Sequence, residues 1–258
     1  MLAIDNPSQI AHNIINELRI KHPSEIAIEL IAEDRGATVV EALMTSAEGR
    51  LVRKGNIGKI TVPSSERNIG RKRFSIAHEL GHFELHSERT NLVVCGKRDM
   101  HDWKNYKTGE TEANEFAASL LMPEALFYPR IILKKPNMNL IGKLANEFST
   151  SLTATAFRYI QLTNEPCALV YCHNGKIEWF FKTGKDFPYF LRGRGESVDP
   201  ESFAYDAFYG EGDNNAGNMV DPSAWLKSEF NSYSEIELYE STTYLKYYNS
   251  TITLLWEK

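Results

Sequence analysis

Three histidines lie close together in the segment FSIAHELGHFELH, residues 74–86, and Glu79 directly follows the first of them. His78 and His82 are four residues apart, and on a helix this spacing puts both imidazoles on one face. Two imidazoles so placed can share a zinc ion, which takes nitrogen and oxygen ligands in a tetrahedron. Glu79 projects about 100° around the helix from His78, where it can hydrogen-bond a water in the open coordination position. The pattern predicts a metal centre with Glu79 as general base.

Two histidines leave the site short of a third protein ligand, and the helix predicted from ETEANEFAASLLMP is the natural source. Measured from the centre of its apolar stripe, Glu110 lies at about 50°, Glu112 at about 110° and Glu115 at about 170°. Glu115 is therefore expected to face solvent. Glu112 can reach a neighbouring helix, and Glu110 is nearer the buried face but at a helix start that should fray. Geometry alone leaves Glu110 and Glu112 both open.

The elements before this helix must hold the histidines in place. Two N-terminal helices are expected, with Ser8 as the first N-cap and Gly36 as the second stop. Short strands in hairpins should follow, then one helix over 64–86 and a polar loop over 87–108, whose length suits either a substrate-binding loop or a lid. Gly81 lies inside the histidine helix, where glycine costs about 1 kcal/mol relative to alanine. Its presence predicts that another element packs closely there.

The segment RKRFSIAHELGHFELH, followed by a loop and ETEANEFAASLLMP, resembles the ImmA/IrrE family of zinc-dependent metallopeptidases in order and spacing. The resemblance covers about the first half of the chain and implies a mostly helical, zincin-like domain with a small β-sheet. It also implies that His78, His82 and Glu112 hold zinc and that Glu79 is the catalytic base. The resemblance, and not the geometry, favours Glu112 over Glu110.

The whole chain is predicted to be an α+β protein of three parts. Residues 1–132 would form the metallopeptidase domain, and residues 133–165 a helix-turn-helix-like module turning near 149–151. Residues 166–258 would form a C-terminal α+β domain, for which the loose resemblance to IrrE-like proteins implies a sensory or regulatory role. Strand hairpins are expected there, with turns near 173–175 and 249–250.

Charge and composition limit the classes of partner. The net charge of −5 and the pI near 5.9 argue against attraction of the whole chain to nucleic acid or acidic membranes. Residues 130–165 are the basic exception, with five Lys or Arg against two Asp or Glu. There is no apolar run of about eighteen residues and no signal-peptide pattern, and the three cysteines suit a reducing compartment. We therefore expect a cytoplasmic protein without a membrane partner.

The resemblance implies an endopeptidase that cleaves a specific protein, a transcriptional repressor, in a stress, phage-defence or mobile-element response. A DNA-binding regulator with a structural metal is the alternative from another class, and there Arg158 and Lys143 would contact phosphates. A module that sequesters a repressor without cutting it is the third hypothesis.

Several further residues have both a functional and a structural interpretation. His86 is expected behind the ligands or at the helix end, and Cys95 is either a thiolate switch over the zinc or a structural thiol. The oxyanion donor is open among four side chains: His86, His101, Arg73 and Tyr106. C-terminal aromatic residues would either line a small-molecule or peptide pocket or fill a core: Trp179, Phe180, Phe181, Tyr189, Phe190 and Trp225.

Overall fold

The computed structural model describes residues 6–44, 47–86, 92–96, 108–183, 187–210, 212–227 and 236–257. The chain divides into two compact units, residues 1–130 with 145–154 and residues 131–144 with 155–258. Both units contain helices and strands, which confirms the α+β class. The three-part division drawn from the sequence stays a prediction. No helix within the described ranges is both long and apolar enough to cross a bilayer.

Two short helices begin the first unit: α1 (Pro7–Glu17) and α2 (Ile28–Asp34). Asn6, and not Ser8, caps α1, because its side chain accepts a hydrogen bond of 2.9 Å from the Ser8 backbone N–H. The proline at position 7 starts the helix, since its missing N–H needs no partner there. Gly36 follows α2 with φ +91°, a conformation that favours glycine, as its predicted role as a stop requires.

A four-stranded sheet follows, with strands β1 (Ala37–Ala42), β2 (Ala47–Lys54), β3 (Ile57–Pro63) and β4 (Leu92–Gly96) in the order β1-β3-β2-β4. Strands β2 and β3 form the expected hairpin, but β1 pairs with β3 in parallel. Strand β4 pairs antiparallel with β2 inside the region predicted as a loop. The apolar run Leu-Val-Val favours a strand, but the polar residues on both sides of it make the sequence pattern of the whole region typical of a loop. The rest of that region, 87–91 and 97–107, lies outside the described residues.

The histidine helix α3 (Ile69–Leu85) packs along α4 (Thr108–Leu121). Asn68 caps α3 by accepting a hydrogen bond from the Arg71 N–H, so the helix begins later than position 64. A Cβ on Gly81 would lie 3.1 Å from the Cα of Ala113 and 3.1 Å from the ring of Phe116. The glycine thus marks the close approach of α3 and α4, as its unfavourable place in a helix predicts.

Three helices follow Pro123: α5 (Glu124–Ile131), α6 (Met138–Phe148) and α7 (Leu152–Leu162). The turn between α6 and α7 passes through Ser149, with φ +52°, at the position expected from the sequence. A Cβ on Gly70 of α3 would overlap the backbone of Thr150, so this turn abuts the start of the histidine helix.

The second unit contains a five-stranded sheet in the order β6-β5-β9-β8-β7. Its strands are β5 (Cys167–His173), β6 (Lys176–Lys182), β7 (Asn214–Met219), β8 (Leu238–Leu245) and β9 (Ser250–Glu257), and helix α8 (Phe203–Tyr209) precedes β7. The β5–β6 hairpin turns at Asn174 and Gly175, both with positive φ, and the β8–β9 hairpin turns at Asn249. Both turns confirm the sequence-based expectation.

Candidate metal centre

His78, His82 and Glu110 form a cluster of three potential metal ligands. The Nε2 atoms of the two histidines lie 3.1 Å apart. Oε2 of Glu110 lies 3.2 Å from Nε2 of His78 and 3.4 Å from Nε2 of His82. Helix α3 supplies both imidazoles from one face, and α4 supplies the carboxylate from its first turn, where the helix dipole favours a negative charge.

The three atoms have the spacing that a tetrahedral metal ion requires. Ligand atoms about 2.0–2.1 Å from such an ion are about 3.3–3.4 Å from one another. The sides of the triangle, 3.1, 3.2 and 3.4 Å, are close to this value. Two imidazole nitrogens and one carboxylate oxygen are also a ligand set that zinc accepts, with a fourth position open. The residues present therefore fit the metal.

Burial makes the cluster electrostatically unusual. His78 and His82 are 0% and 4% exposed. Partial burial of the Glu110 carboxyl disfavours its charged form, but the two imidazoles that face it outweigh this effect and hold its pKa well below the usual range. Glu110 is thus held as an anion beside the two nitrogens, which is the state that a metal ligand needs.

His78 has a hydrogen-bond partner on the side of its ring away from the cluster. Its Nδ1 lies 2.9 Å from Oδ1 of Asn114, and both side chains are buried. Because the amide oxygen only accepts, Nδ1 carries the proton, and in a neutral ring Nε2 is then the nitrogen whose lone pair can bind a metal. Asn114 stands four residues after Glu110, so one face of α4 supplies both the carboxylate and the group that orients His78.

Glu112 lies elsewhere. Its Oε2 is 2.8 Å from Nε2 of His86, and Nδ1 of His86 is 3.2 Å from Nδ1 of His82. The resemblance implies Glu112 as the third ligand, whereas in the structure the carboxylate that lies beside His78 and His82 is that of Glu110. The physical reason is that α4 begins at Thr108, so Glu110 is held in the first turn at the angle that already put it nearest the buried face.

Glu79 is buried, with 0% exposure, under strand β2. A Cβ built on Gly49 of β2 would overlap Oε1 of Glu79 and lie 2.9 Å from its Cγ. The strand can pass this close to the carboxylate only because residue 49 has no side chain. The HExxH pattern identifies Glu79, but nothing local in the sequence connects it with Gly49.

Residues 32–159 match the family model of the IrrE N-terminal-like domain, Peptidase_M78. This segment is an IrrE N-terminal-like domain. A solved structure of a Mycobacterium tuberculosis transcriptional regulator is similar to the whole fold, with a TM-score of 0.62 and 17% identity over 98% of this chain and 76% of that chain. No curated protein matches the chain.

The remaining candidate site residues of the IrrE N-terminal-like domain differ in the contacts that they make. Arg73, one possible oxyanion donor, donates from Nη2 to the backbone oxygen of Ile26 at 2.7 Å and so supports the fold. His86 contacts Glu112 and His82. His101 and Tyr106 lie outside the described residues. The backbone of Cys95 pairs with Gly49, but its side chain is outside the described part, so the proposed thiolate switch stays a prediction.

The residues proposed for DNA contact differ in exposure. Arg158 is only 6% exposed and donates to Gln161, which leaves it poorly placed for a phosphate. Lys143 is exposed.

The C-terminal aromatic residues do not share one environment. Trp225 is buried and donates from Nε1 to Glu240, whereas Phe190 is 72% exposed. Trp179 stacks on Tyr171 with ring centroids 4.9 Å apart. Tyr189 donates from its hydroxyl to Glu257. A small-molecule site in this unit stays a prediction.

Proposed function

We propose that this chain is a zinc-dependent endopeptidase that cleaves a specific regulatory protein. The triangle of His78, His82 and Glu110 is the observation that carries the proposal, because its dimensions suit one tetrahedral ion with a fourth position for the reaction. The match to a peptidase family adds support that does not depend on these distances.

In this proposal His78, His82 and Glu110 hold the metal. We take Glu110 in place of Glu112 because its carboxylate faces both imidazoles, whereas the Glu112 carboxylate contacts His86. When bound, zinc lowers the pKa of water and polarises the peptide carbonyl. Glu79 removes a proton from the attacking water and later returns it to the leaving amine. Asn114 keeps Nε2 of His78 directed at the metal position.

The substrate is proposed to be a transcriptional repressor, cleaved in a stress, phage-defence or mobile-element response. The family resemblance supports this choice, as does a fold neighbour named as a transcriptional regulator. The alternative DNA-binding function draws less support, because Arg158 is buried in the segment that would contact phosphate.

The zinc content of purified wild type, His78→Ala, Glu110→Ala and Glu112→Ala tests the metal site. About one zinc per wild-type chain, lost in the His78 and Glu110 variants, would support the proposal. Proteolysis is tested by a mass-spectrometric search for new peptide N-termini in a cell extract. They should appear with the wild type and be missing with Glu79→Gln or a chelator. A wild type without zinc, or N-termini that also appear with Glu79→Gln, would contradict the proposal.

A further inference from the structure

A chain of three side chains leads away from the cluster on the side of His82. Nε2 of His86 lies 2.8 Å from Oε2 of Glu112, and Nδ1 of His86 lies 3.2 Å from Nδ1 of His82. The two imidazole rings are 5.3 Å apart between centroids. The side chains of His82 and His86 are 4% and 9% exposed, so the contact between the two imidazoles is shielded from water, whereas Glu112 is 32% exposed and lies at the outer end.

The Glu112 carboxylate at one end of this series of contacts determines which nitrogen carries the proton in each of them. A carboxylate has no proton to donate, so the proton between Glu112 and His86 is on Nε2 of His86. In a neutral imidazole the other nitrogen is then an acceptor, so in the contact between Nδ1 of His86 and Nδ1 of His82 the proton lies on His82. This leaves Nε2 of His82 as the nitrogen whose lone pair can bind a metal ion held with His78 and Glu110.

We infer that Glu112 and His86 are positioning residues for the metal site: they hold His82 in the tautomer and ring orientation in which Nε2 coordinates the metal. The inference rests on the proposed function and gives Glu112 a role other than ligation. Each metal-binding histidine then has a partner that fixes its ring: Asn114 orients His78 by a direct hydrogen bond, and Glu112 orients His82 through His86. Outer partners of this kind typically change metal affinity when they are removed.

Zinc affinity, measured by competition with a chromophoric chelator, tests the inference without any substrate. Glu112→Ala and His86→Leu should each weaken zinc binding about 10–100-fold. The double variant should bind no more weakly than His86→Leu, because Glu112 acts through His86. His86→Asn should keep most of the affinity, since its amide oxygen offers an acceptor at the δ position. Glu115→Ala is the matched control on α4: its carboxylate accepts from Ser8, and its affinity should equal that of the wild type.

A second readout separates positioning from a general loss of structure. Long-range proton–nitrogen NMR of the zinc-loaded protein should show the His82 proton on Nδ1, protected from exchange in the wild type and in His86→Asn and exposed in His86→Leu. Thermal unfolding of the metal-free variants checks that the fold persists.

Three results would overturn the inference. Unchanged affinity in Glu112→Ala and His86→Leu would remove their role. Loss of zinc in Glu112→Ala as complete as in Glu110→Ala would make Glu112 a ligand. A His82 proton on Nε2 in the zinc-loaded protein would mean that the hydrogen bonds between His82, His86 and Glu112 run in the opposite direction. Each of these leaves the proposed function intact, whereas a wild type that binds no zinc would contradict both.

Discussion

Gly49 and Glu79 are matched: the strand residue has no side chain, and the carboxylate of the helix residue takes the space that one would fill. Gly49→Ala should therefore displace the Glu79 carboxylate and leave the metal cluster, which comes from α3 and α4, in place. We expect about one zinc per chain but at least about 10-fold lower cleavage, since a carboxylate displaced by an ångström transfers protons poorly. Zinc analysis and the rate of substrate cleavage measure the two effects.

Gly142→Ala is the control for a glycine replacement. A Cβ there meets no atom within 4 Å, and the residue lies inside α6. We expect full activity and a free energy of unfolding higher by about 0.5–1 kcal/mol, because alanine is the better helix former. If Gly49→Ala were as active as Gly142→Ala, the close contact with Glu79 would have no functional meaning.

Glu79→Gln should keep the fold and the zinc but remove cleavage. The amide is nearly the same size as the carboxylate, yet it cannot accept and return a proton. The loss should reach at least the factor of about 10²–10⁴ typical of a general base. Single-turnover cleavage at matched zinc content is the measurement. Activity close to that of the wild type would assign the base to another residue.

Asn114→Ala should weaken zinc binding about 10–100-fold, because Nδ1 of His78 loses the acceptor that orients the ring. Asn114→Asp should keep or raise the affinity, since a carboxylate is a stronger acceptor of the same shape. Chelator competition on the two variants compares them directly. Equal weakening in both would point to a packing role for this buried side chain.

Glu240 should make the stability of the second unit depend on pH. Burial raises the pKa of Glu240 to about 7, although Trp225, Thr242, Ala204 and Phe203 donate hydrogen bonds to it. Between about pH 4.5 and 7 the unfolded chain loses this proton first, so the native state binds more protons and its stability falls as pH rises. Above both pKa values the difference is constant, and the full loss is on the order of 3 kcal/mol.

Chemical unfolding at pH 4.5, 6 and 8 checks this expectation. It can be followed by the fluorescence of Trp179, Trp225 and Trp256, which all belong to the second unit. Glu240→Gln cannot titrate, so this part of the pH dependence should vanish. The same slope in wild type and variant would assign the effect to other groups.

The sequence by itself determined the chemistry that depends on short spacings along one helix. The i, i+4 pair His78 and His82 needs only helical geometry to share a face. Gly81 indicates a close contact between helices because glycine is unfavourable inside a helix unless a neighbour needs the space. The hairpin turns at Asn174–Gly175 and Asn249 could also be predicted from neighbouring residues alone, because turns with positive φ angles favour asparagine and glycine.

Tertiary structure decided what depends on how separate elements approach. Glu110 and Glu112 lie on the same helix two residues apart, and the placement of α4 against α3 brings Glu110 to the histidines and Glu112 to His86. The parallel pairing of β1 with β3, and the contact of Gly49 with Glu79, join residues distant in the chain. Angles around a single helix limit which side chains can be neighbours, but the partner that each one meets is set by long-range packing.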